Sequence, residues 1–156
     1  PLMSSVARDK IIDALHWHMS RASGYIGLTH VQGARFMASA SALSPVLQNV
    51  AERGLVFLDD GVSRQTMTSA VALATGAPSL RADLVIDVNQ KSEAQDAALR
   101  KLEALARERG SALGVVRFQA PAIDRVSRFA QGLEARGIAL VPLSALLAQP
   151  ARTVAR

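Results

Sequence analysis

The sequence predicts an α/β fold made of repeated strand–helix units around a parallel sheet. Two observations lead there. Four consecutive helical segments end in glycine, at Gly54, Gly76, Gly110 and Gly137, and three of these glycines are followed within two residues by an apolar run. The runs are continuous rather than alternating, as in Leu55-Val56-Phe57-Leu58, which is how a parallel strand covered on both faces reads.

The elements follow in order. A first helix is expected from Ser4 or Ser5 to about Ala22, with serine as its N-cap and Ile12, Leu15, Met19 and Ala22 at helical spacing. Gly24 stops it, residues 25–28 read as a buried strand, and a polar loop runs through His30 and Gly33. Leu43, Val46, Leu47 and Val50 form the next stripe, closed by Gly54; strand two then spans 55–58 and ends at Asp59-Asp60-Gly61. A helix from near Ser63 to Gly76 carries Met67, Val71 and Ala74 inward. Strand three is expected over 83–88. Ser92 is the expected N-cap of the following helix, with Gln95 in the capping-box position and Gly110 as the stop. Strand four is expected over 112–118, a helix opened by Pro121 runs to Gly137, strand five covers 138–143, and a short helix over 144–148 closes the pattern. Nothing resembling a linker divides the chain, so residues 1–150 read as one domain and 151–156 as a basic tail.

Composition narrows the function. At 156 residues and 49% hydrophobic content the chain can bury a core, but with 4% aromatics that core is aliphatic. No cysteine is present, which excludes disulfides and thiolate zinc sites. The net charge of +5 raises the question of nucleic acid. The basic residues are scattered among acidic partners, as in Arg100, Lys101, Glu103, Arg107, Glu108 and Arg109, and aromatics do not interleave with them. That is a solvated helix face, so no nucleic-acid partner is expected. No apolar run approaches the roughly 20 residues that cross a bilayer. Phosphate-loop, dinucleotide-fingerprint, nucleophile-elbow and zincin signatures are all missing.

Ligands of parallel α/β folds bind outside the carboxyl ends of the strands. The adjacent carboxylates Asp59 and Asp60 stand there, suited to ligate a hard cation or to divide into a base and an orienting group. The same pair serves equally to cap the turn at 61–63 and the next helix. His30 in the first loop is a candidate metal ligand or general base. Asp87 and Arg117 at later strand ends are candidates for binding substrate, Arg117 through an anionic group. His16 and His18 are not a metal pair: two positions apart on a helix, they point about 200° away from each other.

The ordered segments Tyr25-Ile-Gly-Leu-Thr-His-Val-Gln-Gly-Ala-Arg-Phe36, Arg53-Gly-Leu-Val-Phe-Leu-Asp-Asp60, Ala82-Asp-Leu-Val-Ile-Asp87, Gly110-Ser-Ala-Leu-Gly114 and Arg136-Gly-Ile-Ala-Leu-Val-Pro-Leu-Ser144 resemble the divergent polysaccharide deacetylases, relatives of the NodB-type carbohydrate esterases. The resemblance implies a distorted (β/α) barrel and metal-assisted removal of acetyl groups from an envelope glycan. It implies a divalent metal, with zinc the expected ion, and a periplasmic or envelope-associated place reached through an upstream export signal. It also implies that this chain is a C-terminal portion, the family's first strand with its Asp pair and a His-bearing segment lying before Pro1. In these terms Asp60 and Asp59 are the catalytic candidates, His30 and Asp59 the metal ligands, and Asp87 and Arg117 the substrate contacts.

Two departures matter. The loop that often reads Asn-Asn-His-Met-Gly-Ser in relatives reads Thr29-His30-Val31-Gln32-Gly33-Ala34, which puts Val31 at the family's histidine position. The Gly-His-Pro of strand four is replaced by Gly114-Val115-Val116-Arg117-Phe118. A catalytically inactive glycan-binding or scaffold domain on the same fold is therefore the alternative expectation. A third is an open doubly wound sheet that binds a small anion through Arg117 and a helix N-terminus, since five parallel strands cannot close a barrel.

Overall fold

A computed structural model describes residues 7–86, 89, 91–117 and 119–147. The chain is mixed α/β with every strand pair parallel, and it divides into two compact units, Pro1–Arg81 and Ala82–Arg156.

The first unit contains α1 (Arg8–Met19), β1 (Gly27–Thr29), α2 (Ala34–Met37), α3 (Ala40–Glu52), β2 (Val56–Asp59), α4 (Thr68–Thr75) and β3 (Ser79–Arg81). Its sheet has the order β1-β2-β3, with Leu28 opposite Phe57 and Leu58 opposite Leu80. The core sits where α1 and α3 meet the sheet: Ile11, Leu43, Leu47, Val50, Met37 and Phe57 are all buried in one cluster. The stripe read from the sequence, Leu43, Val46, Leu47 and Val50, is the inward face of α3, whose N-cap is Ser39 with its hydroxyl accepting from the Ala42 N–H. Pro45 lies inside α3, in its second turn, and is buried; its missing N–H leaves the Ser41 carbonyl without the usual helical donor.

The second unit contains β4 (Leu84–Ile86), α5 (Ser92–Arg109), β5 (Gly114–Val116) and α6 (Ala120–Gln131), followed by two 3₁₀ turns at Glu134–Arg136 and Leu143–Leu146. β4 and β5 pair in parallel. Asp83 ties them at their start, its Oδ2 accepting from the Leu113 N–H at 2.8 Å. The four helix-stopping glycines all carry positive φ, between 65° and 79°. No helix of the described residues is long and apolar enough to cross a membrane.

Several elements differ from the sequence reading. Residues 138–142 form no strand; Ile138 N–H returns to the Leu133 carbonyl, Leu140 is 77% exposed, and Pro142 has no N–H to give a ladder. An apolar run becomes a strand only where a neighbour takes its hydrogen bonds. β3, three residues of Ser-Leu-Arg, was hidden because it has no such run. The short α2 was hidden in a loop. The helix expected from Ser63 begins at Thr68, because residues 61–66 are held in a loop around Asp59. Ser92 is not the cap of α5: Lys91 is the N-cap, with no side-chain cap bond, and Gln95 is buried. α1 starts at Arg8 among the described residues and ends at Met19, short of Ala22. The tail 151–156 lies outside the described residues.

Gly27 is required by packing as well as by the sheet, since a Cβ there would overlap the Val56 carbonyl oxygen of the paired strand. Gly54, at φ 65°, has open space around a Cβ and is held to glycine by its backbone alone. Gly27→Ala is therefore expected to cost upwards of about 2 kcal/mol, as overpacking against rigid backbone does. Gly54→Ala is expected to cost only about 1 kcal/mol. Urea denaturation of the two variants side by side checks the order.

Candidate metal centre

Parallel register builds the site. Thr29 stands opposite Leu58, so the residues that follow on each strand, His30 and Asp59, emerge side by side at the carboxyl end of the sheet. The Thr29 hydroxyl donates to the Leu58 carbonyl at 2.9 Å and fastens the two strands just below them. His30 lies flat against Phe57, the ring centroids 6.3 Å apart and the planes 10° from parallel.

The tautomer of His30 follows from its partners. Nδ1 is 2.8 Å from the Gln32 carbonyl oxygen, which can only accept, so Nδ1 carries the proton. Nε2 receives the Asp60 backbone N–H at 3.4 Å, as an unprotonated nitrogen does. Nε2 also lies near two carboxylates, 3.3 Å from Asp60 Oδ1 and 3.7 Å from Asp59 Oδ1. Gln32 reaches its position through a left-handed backbone, φ 63°, followed by Gly33 at φ 85°. A non-glycine residue there is strained, and such strain concentrates at functional sites.

Asp59 is fully buried. Its Oδ1 accepts from the Gly61 N–H at 2.9 Å, and its Oδ2 is contacted by the Thr66 hydroxyl at 2.7 Å and the Thr68 hydroxyl at 2.8 Å. Burial is the strongest single influence on this carboxyl and pushes its pKa up. The hydrogen bonds from Thr66, the Gly61 N–H and Thr68, with the charge of Arg81, together outweigh it and hold the group below the ordinary carboxylate value. Arg81, opposite Asp59 in β3, also donates to the Ser63 carbonyl at 2.9 Å and clasps the loop from outside. Asp60 is the more open of the pair; its Oδ1 accepts from the Val62 N–H at 3.0 Å.

One imidazole nitrogen and two carboxylate oxygens thus lie within 4.8 Å of one another. Ligands on a tetrahedral zinc at bond lengths of about 2.0–2.2 Å stand roughly 3.3–3.6 Å apart. The His30–Asp60 and His30–Asp59 separations of 3.3 and 3.7 Å are of that size. The other ring nitrogen and the carboxylates are each oriented by a further hydrogen bond, as metal ligands are. The residues present fit a divalent cation of the N/O-preferring class.

The structure brings together three residues that the sequence had singled out, His30, Asp59 and Asp60. Arg117 belongs to the second unit, exposed and one residue past β5, and Asp87 lies outside the described residues. His16 is structural, its Nε2 within 3.0 Å of the Asn49 amide and 3.2 Å of the Arg53 guanidinium, and His18 packs edge-on against Trp17. Sequence reasoning missed Gln32, Thr66, Thr68 and Arg81. The only signals for them were a Gly following Gln32 and a Thr-x-Thr placed shortly after the Asp pair.

A parallel α/β domain with a His/Asp/Asp cluster at its strand ends is the class of protein that fold and site define. The family described as divergent polysaccharide deacetylase matches residues 1–147, and the chain belongs to that family. It is similar to the crystal structure of an uncharacterized protein from Agrobacterium tumefaciens C58, at 36% identity and a TM-score of 0.89 over 93% of this chain. The chain spans 59% of that structure's length. No curated protein matches it.

The lowered carboxyl of Asp59 sets an acid limit. A group whose pKa falls on folding adds stability above its unfolded value of about 3.9, and that contribution is lost as pH drops through the folded value. In chelator, Asp59→Asn is expected to be less stable than the native protein at pH 6, with the gap narrowing as pH falls below about 4. Urea midpoints from pH 6 to pH 3 check it; parallel decline of the two proteins contradicts the assignment.

Proposed function

We propose that the chain supplies part of a metal-dependent deacetylase site for an acetylated envelope glycan. The observation that supports this reading most is the convergence of His30 Nε2 with the carboxylate oxygens of Asp60 and Asp59, at 3.3 and 3.7 Å, while Nδ1 is held by the Gln32 carbonyl. One imidazole nitrogen and two carboxylate oxygens converge there, a donor set that a bound cation stabilises.

In this reading His30 and Asp59 hold the metal. A divalent cation, zinc in the first instance, supplies polarisation of the acetyl carbonyl and a water of lowered pKa. Asp60, more open than Asp59 and fixed by only one backbone donor, takes the proton from the attacking water and returns it to the leaving amine or hydroxyl. Asp59 is a weakened base for that task, because its hydrogen bonds and the Arg81 charge lower its pKa. Asp87 and Arg117 remain the proposed substrate contacts. The strands are proposed to be part of a distorted (β/α) barrel within one domain over 1–150, a reading that the parallel pairing and the match to part of a longer chain support, and the proposed place is the periplasm or envelope.

One observation favours the second reading, a glycan-binding or scaffold domain without turnover. Val31, at the family's histidine position, is apolar and 80% exposed, so it contributes no ligand. Zinc titration of the full-length protein and acetate release from acetylated oligosaccharides separate the two. The enzyme reading expects about one zinc per chain and at least a 100-fold loss of turnover in Asp60→Asn, the size expected for a lost general base. Absence of stoichiometric metal together with unchanged turnover in Asp60→Asn sinks it. Glycan affinity with no acetate released favours the scaffold.

A further inference from the structure

We propose that Thr66 and Thr68 are positioning residues for Asp59, holding its carboxylate so that Oδ1 alone faces the candidate cation. This inference rests on the metal reading above. Asp59 Oδ2, Thr66 Oγ1 and Thr68 Oγ1 form a closed triangle with edges of 2.7, 2.8 and 2.7 Å. Two hydroxyl protons serve its three edges. Only one can lie between the threonines, so at least one always reaches the carboxylate.

The Thr68 N–H donates to Thr66 Oγ1 at 3.3 Å, which turns the Thr66 proton away from the backbone and toward the triangle. Thr68 is the first residue of α4 and only 3% exposed, so its side chain is held by the helix start and the packing around it. Oδ2 is thereby occupied on the side away from His30. Among the described residues Oδ1 accepts the Gly61 N–H alone, keeps a lone pair, and is the atom nearest His30 Nε2. The carboxylate can therefore ligate through one oxygen, and its rotation about the Cβ–Cγ bond is blocked.

Capping alone does not require this arrangement. A cap is satisfied by the Gly61 N–H, and the two threonines add nothing to the turn at 61–63. The Thr66 hydroxyl also receives the Thr68 N–H at the start of α4, and both hydroxyls set the direction and charge of the carboxylate.

The test is zinc affinity of the full-length protein by calorimetric titration, with Co²⁺ absorption as a second readout of ligand geometry. Thr66→Val, Thr68→Val and the double valine variant remove the hydroxyls while keeping side-chain shape; the double serine variant keeps the hydroxyls. Loss of such outer partners is expected to weaken zinc binding about 10–100-fold in the double valine variant and to change its Co²⁺ spectrum. The double serine variant is expected to bind like the native protein. Native-like zinc affinity in a folded double valine variant overturns the inference and leaves the metal reading standing. So does a serine variant as weak as the valine one. If Thr68→Val does not fold, the half-buried Thr66→Val carries the same comparison alone, with weakened binding expected and native-like binding overturning it. A native protein that binds no zinc overturns the metal reading itself, and this inference with it.

Discussion

Asp59 carries a buried negative charge at the end of β2, and much of the first unit is arranged to keep it ionised. A carboxylate removed from water is costly unless hydrogen bonds and opposite charge replace the solvent. Here the replacement comes from a backbone N–H two residues on, hydroxyls seven and nine residues on, and a guanidinium on the neighbouring strand. These demands shape the chain locally. They keep residues 61–66 from joining α4, fix where that helix begins, and set β3 beside β2 with Arg81 opposite the charge.

How far the sequence is legible follows from the range of the forces involved. The elements that were readable are those with local causes: α3 with its stripe of aliphatic residues, the glycine stops with their left-handed backbones, and β2 as a continuous apolar run. The expected strand over 138–143 has the same local signature, yet it lacks a partner for its backbone groups among the described residues. β3 is the converse case. Ser-Leu-Arg carries no strand signal, and it is a strand because β2 offers it a row of hydrogen-bonding groups.

The same division holds within the site. Asp59, Asp60 and His30 were legible because charged and imidazole groups at the ends of apolar strands have few structural uses, and the parallel register then brings them together without further help. Gln32, Thr66 and Thr68 were not legible. Their contribution is a carbonyl direction and two hydroxyl directions, which depend on backbone angles and on where a helix starts. A side-chain type at a given spacing does not encode either.

The plainest account of the Asp pair is that it caps a turn, and the structure shows that it does: Gly61 and Val62 both donate to it. That account stops short of His30. Capping needs no imidazole, and an imidazole placed beside two carboxylates for stability alone would gain most by donating a proton to them. His30 instead sets Nδ1 on the Gln32 carbonyl and receives the Asp60 backbone N–H at Nε2. The Gln32 carbonyl that holds Nδ1 belongs to a residue in the left-handed region, φ 63°. The proposed cation between the three atoms would join the left-handed residue, the oriented imidazole and the fixed carboxylate into a single device.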